Sequence, residues 1–130
     1  MPLLSMIKGR MHHLGARQKL IAENVANSDT AGFTPRDLKP FAAADVGKRG
    51  AVGVGVVRTH AAHIGVDAPR SSPFKAHAAP GSETTLDGNS VVLEEEMIKM
   101  AESRTDYDAA ISFYQKSLGL LRMAARAPGR

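Results

Sequence analysis

The chain has 130 residues, a formal net charge of +4, no Cys, no Trp, four Phe and two Tyr. That length holds a single domain, and the lack of Cys excludes disulfides, thiolate metal sites and thiol catalysis. Aromatic side chains supply the largest buried areas in compact cores, so a chain this poor in them is ill equipped to build a globular core alone.

The first expected element is a helix from about Leu3 to Ala26. Leu4, Ile7, Met11, Leu14, Gln18, Ile21 and Val25 recur in alternating steps of three and four. That spacing puts one residue per turn on a narrow stripe, the seam along which two coiled helices pack. Lys8, Arg10, Arg17 and Lys19 interrupt the first twenty residues, so no apolar centre of a secretory signal forms there. No apolar run reaches the ~20 residues a membrane span requires; no direct span is expected. His12 and His13 are neighbours in sequence and point about 100° apart on a helix. They are expected as surface or seam-edge residues, unable to chelate one ion together. Asn27, Ser28, Asp29 and Thr30 then form a polar stop, followed by Gly32 and Pro35.

The middle reads as irregular and partly disordered, with room for some β-structure. Gly47 to Val57 alternates Gly and Val loosely and is expected to give one short strand. Ser71 to Gly81, with Pro73 and Pro80, reads as loop. Gly50, Gly53 and Gly55 make neither a dinucleotide fingerprint nor a phosphate loop. His60 and His63 have the spacing of a metal pair but no convincing third ligand, and zinc needs three or four. No metal or cofactor is expected.

Asp87-Gly88 signals a turn, with Asn89 or Ser90 as the expected N-cap of a second helix. That helix is expected from Val91 to about Arg126, with Pro128 and Gly129 as its stop and a length on the order of 50 Å. Its seam is Leu93, Met97, Met100, Arg104, Tyr107, Ile111, Tyr114, Leu118, Leu121 and Ala125. The polar interruptions Gln18 and Arg104 are either edge residues with their heads in water or devices that fix register. Glu94, Glu95 and Glu96 fan around the helix axis, whereas an acid–base pair must converge on one substrate, so no enzyme is expected. Acids favour the start of this helix and bases its end, as the helix dipole prefers; a charge-complementary contact between subunits is the sharper reading. Interleaved acids and the lack of an aromatic–basic cluster argue against nucleic acid.

The expected fold is mostly α: two long terminal helices form an antiparallel, coiled-coil-like pair around an irregular middle. The divisions are residues 1–35, 36–86 and 87–130, with Met11 expected near Leu118 in the assembled state. Helices with unsatisfied seams point to self-association into a filament. An adaptor that uses the same seams on one partner is the alternative.

Residues Ile21 to Phe33 carry a further pattern: Asn24 and Asn27, then Thr30, then Gly32-Phe33. This resembles the N-terminal signature of the bacterial flagellar rod and hook axial proteins. Arg36-Asp37-Leu38, and Asp87 to Val91 leading into Leu93 to Met97, narrow the likeness to the short proximal-rod members; relatives with large inserted domains are longer. Ala31 and Phe33 depart from the Pro and Tyr common there. The residues alone read as an ordinary helix end at which Asn amides satisfy backbone groups. The resemblance implies a basal-body rod subunit lying in the periplasm and exported unfolded without a cleaved signal. It implies the same chain, other rod subunits, the basal-body adaptor at the membrane ring and the flagellar export apparatus as partners.

Overall fold

The computed structural model describes residues 2–42 and 74–126. Four elements follow in order: α1 (Pro2–Ala26), β1 (Arg36–Leu38), β2 (Ala76–Ala78) and α2 (Leu93–Ala125). Pro2 suits the first helical position, where its missing N–H would be unpaired anyway. Helix α1 ends where the Asn27 N–H is shared between the Glu23 and Asn24 carbonyls, and Gly32 then reverses the chain at φ +69°. Helix α2 has 33 residues, about 50 Å of rise. Its N-cap is Val92, without a side-chain cap bond. The expected cap residues Asn89 and Ser90 are instead buried in the preceding loop. Glu94, Glu95 and Glu96 occupy the first turn and complement the dipole there.

The two helices run antiparallel. Asn24 meets Glu96, Leu14 meets Ser103, Arg10 meets Asp106, and Lys8 meets the Tyr114 ring. With Arg10 opposite Asp106, Met11 lies about three turns along the axis from Leu118, so the expected Met11–Leu118 neighbourhood does not form within the chain.

The α1 seam is the packed side of that helix. Leu14 and Ile21 are buried, and Leu4, Ile7, Met11, Gln18 and Val25 are half-buried. In α2 the inward stripe is Glu96, Met100, Ser103, Tyr107, Ala110, Tyr114, Ser117 and Leu121, all buried or half-buried. It shares Met100, Tyr107, Tyr114 and Leu121 with the expected seam, and Ile111 and Leu118 are half-buried beside it. Leu93, Met97, Arg104 and Ala125 face out. The stripe sits one residue from the expected one because Ser103 and Ala110, 0% and 5% exposed, let the helices approach closely.

Strands β1 and β2 pair antiparallel, with Arg36 opposite Ala78, Asp37 opposite His77 and Leu38 opposite Ala76. The ladder is carried on by Ala79 N–H to Pro35 O and by Lys39 N–H to Lys75 O. Pro35 and Pro40 bracket β1, and a residue without an N–H limits how far a strand can extend. Thus β-structure falls at residues 36–38 and 76–78, the latter inside a stretch read as loop. The strand expected over Gly47–Val57, the glycines within it, the His60/His63 pair and the Pro128–Gly129 stop lie outside the described residues. The apolar core is Leu14, Leu20, Ile21, Leu38 and Ala110. It lies between the helices and under β1.

Candidate functional site

The motif residues converge on one junction, where α1 ends, β1 begins and the loop before α2 passes. Asn24 lies on the inward face of the last turn of α1 and is 1% exposed. Its Oδ1 accepts from Arg36 N–H at 3.0 Å, and its Nδ2 donates to Arg36 O at 2.8 Å. The amide thus imitates a strand neighbour and locks β1 to α1. The same Nδ2 donates to Glu96 Oε2 at 2.8 Å, and Lys99 Nζ donates to Glu96 Oε1 at 2.7 Å. Glu96 is 1% exposed, a burial tolerable for a carboxylate only with such partners.

Asn27 closes the helix end. Its Nδ2 donates to Glu23 O at 2.8 Å, and its Oδ1 accepts from the Thr30 hydroxyl at 3.1 Å. Asn89 comes from the other side of the molecule and donates Nδ2 to both Asn27 O at 2.9 Å and Thr30 O at 2.7 Å. Gly32 N–H donates to Asp87 O at 2.9 Å, and Ser90 N–H donates to Phe33 O at 3.0 Å. Gly88 has φ +84°, and a Cβ there would stand 3.4 Å from the Gly32 Cα. The two loops therefore cross backbone against backbone. All five motif residues, Asn24, Asn27, Thr30, Gly32 and Phe33, belong to this buckle, with Asn89 and Glu96 as partners that sequence reasoning had read instead as an N-cap and as one of three fanned carboxylates. Among the described residues no buried side-chain N or O lacks a hydrogen-bond partner.

A second polar cluster lies further along α1. Arg17 pairs with Asp37 through two parallel bonds, Nε to Oδ1 at 2.9 Å and Nη2 to Oδ2 at 2.8 Å. Burial alone pushes the Asp37 carboxyl up, but the bonds from Arg17 and from Leu38 N–H outweigh it and hold it below the usual carboxylate range. The Asp37 bond in turn raises Arg17 against the opposing effect of burial. His13, expected at the surface or at the seam edge, is 5% exposed. Its Nε2 lies 2.8 Å from Lys39 O, and its ring packs edge-on against Phe74 and tilted against Phe41. His13, Arg17, Asp37 and Phe41 border a cleft of about 460 Å³ that is also lined by Arg10, His77 and Asp106. The contacts tie the strand pair to α1 and are structural in character.

Large apolar side chains remain outside. Among the described residues Met97, Ile98, Phe113, Leu120 and Met123 on α2 are each more than half exposed, as is Leu3 on α1. A groove of about 570 Å³ between the start of α1 and the second half of α2 is lined by Leu3, Met6, Ile7, Ala109, Ala110 and Phe113, among others. No helix among the described residues is long and apolar enough to cross a membrane.

No protein-family model matches the chain. Individual relatives do. The chain is 31% identical over 130 residues to the flagellar basal body rod protein FlgB of Agrobacterium fabrum, covering 95% of this chain and 92% of that one. It belongs to the FlgB family of flagellar basal body rod proteins. The FlgB of Proteus mirabilis is 32% identical over 103 residues, covering 75% of this chain and 74% of its own length. The FlgB of Escherichia coli is 31% identical over 101 residues, covering 74% and 72%. Within this FlgB-family chain the resemblance drawn from Asn24–Phe33 coincides with a physical buckle. The signature residues are neighbours in space as well as in sequence.

Proposed function

We propose that this FlgB-family chain is a structural subunit of the proximal rod. It packs through its terminal helices against copies of itself and other rod subunits, building the shaft that transmits motor torque. The observation that carries this reading is the apolar surface left on an otherwise finished helix pair, with Phe113 65%, Met123 62% and Met97 59% exposed. Exposed apolar patches beside described residues whose buried side-chain N and O atoms all have partners mark contact surfaces. The seam residues Ile7, Met11, Leu14, Ile21 and Val25, together with Met100, Tyr107, Ile111, Tyr114, Leu118 and Leu121, hold the pair straight. Leu93 and Met97 remain outside it for neighbours to cover. Contacts that repeat head to tail without closing generate a helical assembly, which suits a shaft.

The role is structural and requires no catalytic group or cofactor. The working location is the periplasmic part of the basal body. The chain reaches it through the flagellar export apparatus without a cleaved signal, and the basal-body adaptor at the membrane ring receives one end of the assembly.

A tagged chain should restore swimming to a strain lacking the gene and copurify with isolated basal bodies. Swimming in the deletion strain, or basal bodies without the tag in complemented cells, would refute the reading. Sedimentation of the purified chain separates the adaptor alternative: open-ended growth with concentration marks a filament subunit, a fixed stoichiometry with one partner an adaptor.

A further inference from the structure

Leu86 is fully exposed, yet it sits on a built turn rather than a loose one. Thr85 N–H donates to Asn89 O at 2.8 Å, Gly88 N–H donates to Thr85 O at 2.9 Å, and Asp87 O accepts from Gly32 N–H. The Asp87 carboxylate accepts from the Thr85 hydroxyl and from Asn89 N–H. The turn thus holds an isobutyl group out into water with no use for it inside the chain. Glu83, Asp87 and Glu94 surround it in sequence, all exposed.

At the other pole the chain offers the complement. The groove lined by Leu3, Met6, Ile7 and Phe113 is mostly apolar. Asp106, the one acidic lining residue among the described residues, is paired with Arg10 at 3.0 Å. Asp108 on α2 is also exposed, but beyond Phe113 the exposed charges are all basic: Lys116 and Arg122 on α2 and Arg126 just past its end, with Lys8 on the facing turn of α1. The 20 residues from Leu93 to Phe113 place the groove about 30 Å from the start of α2, beyond reach of Leu86 in the same chain.

We propose that the Leu86 turn of one copy docks into the Leu3–Met6–Phe113 groove of the next. The result is a head-to-tail contact between an acid-flanked apolar knob and a base-flanked apolar groove. This rests on the rod-subunit reading and deepens it by naming the two unlike faces that such a subunit needs. A heterologous contact of this kind propagates instead of closing on itself, and its charge pattern rejects knob-to-knob and groove-to-groove encounters.

The chain has no cysteine, so single-cysteine variants crosslink only where placed. Purified Leu86→Cys and Met6→Cys chains, mixed under mild oxidation, should give the mixed dimer at least about fivefold over either homodimer in low salt, because opposite charges steer only that encounter. The preference should shrink in high salt as the charges are screened. Lys116→Glu in the Met6→Cys chain should reduce the mixed dimer, and Glu83→Lys in the Leu86→Cys chain should restore it. Circular dichroism on each variant confirms that it is folded; Leu86, wholly outside the core, cannot unfold the chain by substitution. Homodimers equal to or above the mixed product, or no crosslinking at any concentration, would overturn the proposal. So would crosslinking of Leu86→Cys in isolated basal bodies only to a different rod subunit. Copurification of the wild-type chain with basal bodies stays a separate readout, so this docking can fail while the rod assignment stands.

Discussion

At the residue scale the centre of the protein is one amide. Asn24 makes three hydrogen bonds, two to the Arg36 backbone and one to Glu96, and only a carboxamide presents donor and acceptor together at that reach. Asp has the shape but would set a second carboxylate against Glu96. Ala would leave the Arg36 backbone and a buried carboxylate under-satisfied. An unsatisfied buried group costs about 1–3 kcal/mol, more when it is charged. Asn24→Ala should therefore lower the urea midpoint by an amount in that range, and Asn24→Asp should lower it further at neutral pH. Equal midpoints for wild type and both variants would mean that the buckle does not hold the two helices together.

At the element scale α2 carries two overlapping stripes that share Met100, Tyr107, Tyr114 and Leu121. One completes itself with Met97, Arg104, Ile111 and Leu118, the other with Glu96, Ser103, Ala110 and Ser117. Hydrophobicity favours the first. Packing selects the second, because small side chains permit close helix approach and Glu96 meets Asn24 there. Enlarging a packed position typically costs about 1–3 kcal/mol, whereas an exposed site changes stability by about 0.5 kcal/mol or less. Ser103→Leu should thus lower the unfolding midpoint clearly while Arg104→Leu leaves it almost unchanged. The reverse order would return the seam to the stripe that hydrophobicity favours. Close packing also constrains Gly81, in the loop before α2: a Cβ there would stand 2.7 Å from Ser90 O, a backbone atom with little room to yield.

At the scale of the whole molecule, stability is distributed unevenly along the helix pair. The buckle pole contains the buried residues Leu20, Ile21, Asn24, Pro35, Leu38, Asn89 and Glu96, while the residues from Pro2 to Arg10 and from Leu118 to Arg126 are only half-buried or exposed. Local opening is easiest where few apolar contacts resist it. Hydrogen exchange on dilute protein should therefore be slowest at Leu14–Asn24 and around Glu96–Ser103, and fastest at Pro2–Arg10 and Leu118–Ala125. Protection at those fast ends should rise as the concentration increases. Uniform protection along both helices in dilute solution would show that the pair is complete without neighbours.

Much of this was legible in the residues. The three-four spacing from Leu4 to Val25 located both α1 and its packed face, since one narrow apolar stripe leaves a helix a single way to bury it. The polar stop at Asn27–Thr30 and the Asn24–Phe33 pattern located the buckle and the family. What the chain alone left open were matters of pairing. The choice between two α2 stripes depends on which α1 residue lies opposite. The burial of His13 depends on Phe41 and Phe74, and the pairing of β1 with β2 joins residues 40 apart in sequence. The partners of Asn24 and Asn89 stand 72 and 62 residues away. Periodicity and turn chemistry are local and can be read along the chain. Whether a small or polar residue is buried is decided by its distant partner, and only the tertiary structure supplies that partner.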